Sequence, residues 1–109
     1  MNQMAKVAAK KVLATKATPY DVAEHLRTPE EMAAYLDVWL EEAADDVAGI
    51  ARALGDIARA KGMSQVAKDA GLSRESLYRA LSADGNPSFA TVLKVARALG
   101  VRLHAQPAH

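Results

Sequence analysis

The sequence has no cysteine, and only five of its 109 residues are phenylalanine, tyrosine or tryptophan. Without thiols the chain holds neither a disulfide framework nor a thiolate zinc site, which fits a reducing compartment such as the cytoplasm. No apolar run approaches the ~20 residues that cross a bilayer, and the basic N-terminus lacks the apolar core and cleavage site of a signal peptide. We therefore expect one small cytoplasmic domain with no membrane partner.

The formal net charge is only +1, but the charges are segregated along the chain. Residues 1–20 contain four lysines and no acid, whereas residues 21–46 contain nine acids and one arginine. Residues 47–109 are basic again, with nine basic and four acidic residues. An acidic block followed by a basic block indicates two partners of opposite charge, although two solvated helical faces would give the same pattern.

Capping signals divide most of the chain into helices, so we predict an all-α fold. The clearest signal is at Thr28, where Pro29 occupies the first helical position and Glu31 completes a capping box. Gly62 and Gly100 are expected to end helices, because glycine tolerates the left-handed backbone found there. A first short helix is predicted from Thr18 and Pro19 to His25 or Leu26. Further helix starts are predicted at Asp45 or Asp46, Ser64, Ser73 and Ser88.

Apolar residues recur between these boundaries at helical spacing, which predicts the side of each helix that faces the core. Three of the predicted helices carry a long stripe of this kind. The helix that starts at Thr28 has the stripe Met32, Leu36, Trp39, Leu40 and Ala43. The helix that starts at Asp45 or Asp46 has Val47, Ile50, Leu54, Ile57 and Ala58, and the helix that starts at Ser88 has Phe89, Val92, Leu93, Ala96 and Leu99.

The segment VRLHA, residues 101–105, alternates apolar and polar residues as a β-strand does. No other segment has this pattern, so its backbone groups lack a partner within the chain. We therefore predict a short C-terminal strand that pairs across a two-fold axis or adds to a partner's sheet. Phe89, Val101 and Leu103 are the predicted dimerisation residues.

The segment AKDAGLSRESLYRAL, residues 67–81, ends one short helix and starts another within three residues. Gly71 allows the left-handed backbone that so tight a turn requires, and the small side chain of Ala67 lets the two helices cross closely. Leu77 and Leu81 face inward, which leaves polar residues on the opposite side of the second helix. This pattern is typical of a helix-turn-helix, whose second helix lies in the major groove of DNA.

The outward residues of that second helix suit DNA recognition chemically. Arg74 and Arg79 each offer a planar fork that matches O6 and N7 of guanine, and a good bidentate pair supplies ~1–3 kcal/mol of discrimination. Glu75 either accepts a hydrogen bond from cytosine N4 or orients Arg79. The hydroxyls of Ser64 and Ser73 lie at helix starts, which favour phosphate oxygens. A helical hairpin with a surface ion pair between Glu75 and Arg79 remains the alternative.

Residues 53–103, and the run GMSQVAKDAGLSRESLYRALS followed by GNPSF most specifically, resemble the antidote (antitoxin) proteins of bacterial addiction modules. These belong to the Cro/repressor-like helix-turn-helix class. Residues 20–43 are similar to the segment that such antidotes carry before the DNA-binding unit. The resemblance covers about residues 18–104 and implies a homodimer that represses its own operon and neutralises a RelE/ParE-like toxin. It also implies a recognition helix over 74–81 and operator contacts from Ser64, Gln65, Ser73, Arg74, Glu75, Ser76, Tyr78 and Arg79.

The apolar side of the 28–43 helix has two interpretations. It is either core that packs under the 47–61 helix, or a surface for the toxin. The core is the preferred interpretation. Toxins of the implied class act on RNA and tend to be basic, and the acidic residues around this side of the helix motivate the second interpretation. The candidate toxin-binding residues are Tyr35, Trp39, Glu41 and Glu42.

The domain organisation that follows has four parts. Residues 1–17 are a basic, flexible arm, residues 18–45 an acidic helical segment, residues 46–100 the helix-turn-helix domain, and residues 101–109 the strand and tail. The lysines of the arm either follow DNA phosphates or belong to a disordered leader, and the resemblance assigns them no role.

Enzyme activity is not expected. The pentapeptide GLSRE lacks the second glycine of a G-x-S-x-G nucleophile turn and has no sheet behind it. His25, His104 and His109 show no metal-binding spacing, so we expect no metal and no cofactor. Two alternatives to an antitoxin remain: a stand-alone repressor of phage type without a toxin, and a helical adaptor that never binds DNA.

Overall fold

The structure is a computed structural model that describes residues 6–7, 22–82 and 84–108. Within these ranges the chain is all-α, as predicted, with five helices of seven residues or more and no strand. In chain order the helices are α1 (Pro29–Glu42), α2 (Val47–Lys61), α3 (Met63–Ala70), α4 (Arg74–Ala80) and α5 (Phe89–Leu99).

Helix α1 begins with the predicted capping box. Thr28 Oγ1 accepts a hydrogen bond from the Glu31 backbone N–H at 3.1 Å, and Glu31 Oε1 accepts from the Thr28 N–H at 3.1 Å. Two backbone donors that lack helical partners are thereby satisfied. The start of the short helix predicted from Thr18 lies outside the described residues. Within the described residues, 22–23 are helical and the chain turns at 24–25.

Helices α2 and α3 follow each other with one residue between them. Asp46 caps α2 by accepting from the Gly49 N–H at 2.8 Å, and Gly62 ends it with φ 118°. The predicted N-cap at Ser64 is wrong, because α3 already begins at Met63 and Gly62 precedes it without a side-chain cap. Ser64 therefore lies in the first turn of α3.

One core lies between the five helices, with α5 packed against α3 and α2, α1 against α2, and α3 against α4. Small residues allow close packing: Ala53 and Ala58 are fully buried. The large side chains at the centre of the core are Val38, Leu54, Ile57, Val66, Leu77, Leu81, Val95 and Leu99.

The predicted stripes are correct at most positions and wrong at four, where Leu40, Val47, Phe89 and Leu93 are exposed. Val47, at the first position of α2, is 54% exposed, and Phe89, at the first position of α5, is 72% exposed. Leu93 is also exposed, because the row that packs inward on α5 is the neighbouring one, formed by Val92, Val95, Ala96 and Leu99. The exposure of Phe89 and Leu93 leaves an apolar area on the outside of α5.

The predicted C-terminal strand is absent from residues 101–108. Because the described part of the chain has no strand to pair with, the segment instead continues from the end of α5. Gly100 takes φ 74°, and the Val101 N–H donates to the Ala96 carbonyl oxygen at 2.9 Å. Val101 and Leu103 are then half-buried against the core.

Candidate nucleic-acid interface

The connection between α3 and α4 spans residues 71–73 and has the predicted geometry. Gly71 adopts the left-handed conformation, with φ 71° and ψ 30°. The Leu72 N–H reaches back to the Ala67 carbonyl oxygen at 2.9 Å, which closes the end of α3. Ser73 caps α4 by accepting from the Ser76 N–H at 3.0 Å. The turn fixes where α4 begins relative to α3.

Helix α4 has one fully buried side chain, and four of its other six side chains are exposed. Leu77 is fully buried among the core residues. Arg74, Glu75, Tyr78 and Arg79 are all exposed. They form two adjacent i, i+4 rows, with Arg74 and Tyr78 in one row and Glu75 and Arg79 in the other.

The guanidinium of Arg74 makes three contacts with two exposed residues, Ser64 and Tyr78. Its Nη1 donates to Ser64 Oγ at 3.2 Å, and its Nη2 donates to Tyr78 Oη at 3.3 Å. Its Cζ lies 5.5 Å from the centroid of the Tyr78 ring, within the range of a cation–π contact. These contacts link α3 to α4 and hold the Arg74 side chain in one orientation.

In the second row Arg79 Nη2 lies 3.3 Å from Glu75 Oε1. Both side chains are largely exposed, so this ion pair is weak and opens readily. Of the two roles considered for Glu75, the arrangement matches the one in which it orients Arg79.

The remaining predicted DNA contacts lie at the starts of α3 and α4. Ser73 Oγ donates to Ser76 Oγ at 2.8 Å, and Gln65 Nε2 donates to Asp69 Oδ1 at 2.8 Å. Seven of the eight predicted residues are exposed and Ser76 is half-buried, and the hydrogen bond from Arg74 to Ser64 joins the members on α4 to those at the start of α3.

The candidate toxin-binding residues on α1 differ in burial. Tyr35 is only 4% exposed and Trp39 is half-buried against the core, whereas Glu41 and Glu42 are exposed. Burial thus supports the core interpretation for the aromatic rings, whereas both carboxylates lie at the surface. Leu40, on the same helix, is 40% exposed.

Sequence reasoning missed the contact between Lys6 and α1. Lys6 Nζ lies 2.9 Å from Asp37 Oδ2 and 2.8 Å from Glu41 Oε1. Hydrogen bonds to Glu41 and then to Asp37 raise the pKa of Lys6 above its usual value. More than 30 residues separate these partners, so no spacing pattern indicates the contact, and only the opposite charges of the two segments hinted at it.

Tyr35 joins α1 to α2 through a partly buried hydrogen bond. Its hydroxyl donates to Asp56 Oδ2 at 3.0 Å, and Asp56 Oδ1 accepts from Arg59 at 2.8 Å. Burial of the ring, with the Asp56 carboxylate beside it, raises the pKa of Tyr35 to about 12.

We expect this shift to make stability fall with alkaline pH. The unfolded chain ionises its tyrosines near pKa ~10 whereas folded Tyr35 stays protonated to about 12, so ~2–3 kcal/mol of the free energy of unfolding is lost as pH rises through that window. Urea unfolding between pH ~8 and ~11.5 measures the loss. Tyr35→Phe should show a smaller decrease, and Tyr78→Phe, at an exposed ring, should behave like the parent chain. Equal decreases in the parent chain and Tyr35→Phe would contradict the assignment.

Within residues 6–7, 22–82 and 84–108, no group of three or more His, Cys, Asp or Glu side chains is arranged to hold a metal ion. Over the same ranges, the helices are too short or too polar to cross a membrane.

Comparison with known proteins adds a family. A family model described as "Probable addiction module antidote protein" matches residues 16–107, which include all five helices. An uncharacterised protein of Haemophilus influenzae is 56% identical over 87 residues, which span 80% of this chain and 88% of that protein. No solved structure matches the chain significantly.

Proposed function

Because this chain belongs to the family of addiction module antidote proteins, we propose that it is the antitoxin of a type II toxin–antitoxin module. In this proposal it acts in the cytoplasm as a regulatory protein without catalysis. It represses its own operator through α3 and α4 and neutralises a RelE/ParE-like toxin by direct contact. The observation that carries the DNA half is the display of Arg74 and Arg79 on a short helix anchored by a single buried residue.

The dimensions of α4 support its role as a recognition helix. Its seven residues make about two helical turns, and an α-helix, about 10–12 Å across with its side chains, fits the major groove of B-DNA, which is about 12 Å wide. With Leu77 directed into the core, the opposite side of α4 is free to face base edges. In this proposal α3 and α4 form a helix-turn-helix of the Cro/repressor type.

Each exposed residue has a distinct proposed role. Arg74 and Arg79 read guanine, while Glu75 orients Arg79 or accepts from cytosine. Tyr78 keeps the Arg74 side chain extended, which lowers the conformational entropy lost on binding. The residues proposed to contact the DNA backbone are Ser64, Gln65, Ser73 and Ser76.

A gel-shift assay with the DNA upstream of the gene tests the DNA half. We expect a discrete complex whose affinity falls between ~50 mM and ~200 mM salt, because phosphate contacts release counterions. An unrelated duplex of the same length serves as the control. Equal affinity for the two duplexes at every salt concentration would reject operator recognition and favour the adaptor alternative.

The acidic side of α1 is the proposed contact for a basic toxin. Reversing charge in Glu41→Lys/Glu42→Lys should weaken toxin binding about 10- to 100-fold, because two attractive contacts become repulsive. Titration calorimetry with the purified product of the adjacent toxin gene measures this. The matched control is Asp69→Lys/Glu75→Lys, which reverses two exposed acids on α3 and α4 and should leave toxin affinity unchanged. Unaltered affinity in the Glu41/Glu42 variant would remove this surface from consideration.

Homodimerisation is proposed through the exposed side of α5. Phe89 and Leu93 are one helical turn apart and expose apolar area to solvent, whereas Val101 and Leu103, the other predicted dimerisation residues, are half-buried against the core of the same chain. A second copy that covers this area would place two recognition helices on successive half-sites of an operator. A monomeric mass of the purified chain in solution would contradict the dimer.

A stand-alone repressor of phage type shares every DNA-binding feature described above. The family membership favours the antitoxin, since an antidote implies a toxin as its partner. Co-expression of the two adjacent genes separates the alternatives: an antitoxin co-purifies with the small basic protein encoded beside it, and a lone repressor does not.

A further inference from the structure

A groove of about 290 Å³ runs between the outer side of α1 and the C-terminal tail. The tail segment that forms one of its walls, residues 101–104, is the one whose sequence suggested a strand. We call this feature the α1–tail groove. Its apolar lining consists of Ala33, Ala34, Leu36, Leu40, Val101 and Leu103.

Charged residues border the groove, and Lys6 is at the centre of them. Lys6 lines the groove and bridges Asp37 and Glu41 at 2.9 and 2.8 Å. Glu30 and Arg102 also contribute to the lining. If Lys6 is removed, the lining keeps the carboxylates of Glu30 and Asp37 against the guanidinium of Arg102, and Glu41, the second partner of Lys6, adds a third carboxylate beside it. The groove is therefore acidic, and a basic side chain of the same molecule neutralises part of that charge.

We propose that the toxin docks in the α1–tail groove and that a basic side chain of the toxin replaces Lys6 between Asp37 and Glu41. The occupant is a toxin segment that places an apolar side chain in the groove and a lysine or arginine beside it. This inference rests on the proposed antitoxin function. It adds the surface on which the toxin docks, and it makes Lys6 a side chain of the same molecule that competes with the toxin for Asp37 and Glu41.

Charge and polarity both favour this occupant. A negatively charged partner such as DNA is repelled by Glu30, Asp37 and Glu41, whereas a basic protein segment satisfies the same carboxylates. The apolar wall then supplies contact area that an ion pair alone lacks. An arginine of the toxin also binds a carboxylate with a two-pronged geometry that the ammonium of Lys6 does not have.

Displacement of Lys6 is energetically feasible. The side chains of Lys6, Asp37 and Glu41 are 23%, 45% and 36% exposed, and exposed ion pairs contribute little net free energy. Lys6 therefore reduces the apparent affinity for the toxin without blocking the groove. Its contribution should also decrease at high salt, because exposed charges are screened.

The experiment measures the affinity of the full-length chain for the purified product of the adjacent toxin gene. Lys6→Ala should bind about 3- to 10-fold more tightly than the parent chain, and the gain should shrink as salt rises. Ala33→Trp, at an exposed position of the lining, should bind at least ~10-fold more weakly because the indole fills the groove. Lys68→Ala and Ala60→Trp are matched controls at exposed positions outside the groove, and both should bind like the parent.

The outcomes separate the groove from the wider function. If the parent chain does not bind the toxin, the antitoxin function itself fails, and this inference with it. If the parent binds but Lys6→Ala binds equally or more weakly, Lys6 is not a competitor and the inference fails alone. Unchanged affinity of Ala33→Trp, with its helical circular dichroism intact, would likewise overturn it. A lower mass of toxin-free Ala33→Trp would show that the groove holds a second copy of the chain, which also overturns it.

Discussion

Replacing Arg74 and Arg79 together by alanine is expected to weaken operator binding by about 100-fold or more. Two bidentate contacts to guanine, at ~1–3 kcal/mol each, account for a loss of this size. The fold should survive, because both side chains are exposed and their partners lie at the surface. We expect the free energy of unfolding to change by less than about 1 kcal/mol. Gel shifts and urea unfolding on the same preparations check both statements.

The control for this prediction removes the same charge elsewhere. Arg52→Ala/Arg97→Ala deletes two exposed arginines on α2 and α5, and it should cost only the salt-dependent, sequence-independent part of the affinity. The Arg74/Arg79 variant should in addition lose its preference for the operator over an unrelated duplex. If the two double variants lose the same affinity and keep the same preference, α4 is not the helix that reads the bases.

Replacing Leu77 by alanine is expected to lower the free energy of unfolding by about 2–5 kcal/mol, which is the range for a fully buried leucine that leaves a cavity. Leu77 is the one buried residue of α4, so its truncation also loosens this helix. A small domain has about 5–15 kcal/mol in total, and the loss is therefore a large fraction. Urea unfolding followed by circular dichroism measures it.

Glu75→Ala is the reference for the leucine variant. This position is on the same helix but exposed, so its truncation should change stability by no more than about 0.5 kcal/mol. A change below about 1 kcal/mol for Leu77→Ala would mean that this side chain does not anchor α4.

Local hydrogen bonding explains why the helix boundaries were largely predictable. The box formed by Thr28 and Glu31, the left-handed Gly71 and the cap at Ser73 each depend on residues within four positions. Such geometry is encoded by the residues themselves. The N-cap predicted at Ser64 was the exception, because α3 starts at Met63, directly after Gly62, and Ser64 lies inside the helix.

Long-range packing explains what the sequence did not reveal. Phe89 has the apolar character of a core residue, yet only the position of α3 decides that the neighbouring row of α5 is buried. The alternation in residues 101–105 is real, but a strand needs a second strand, which the described chain does not offer. The contact of Lys6 with α1 joins distant segments. The candidate nucleic-acid interface was easier to predict, because its residues come from two helices that are adjacent in sequence.

The hydrogen bond from Arg74 to Ser64 has a consequence for how base and backbone contacts would combine. Ser64 Oγ accepts this bond through a lone pair, so its own O–H can still donate to a phosphate oxygen. In the proposed complex one serine would therefore brace the arginine that faces a base and hold the sugar–phosphate strand at the same time. A base change that displaces the guanidinium would then disturb the neighbouring phosphate contact as well, so the two contacts are energetically coupled.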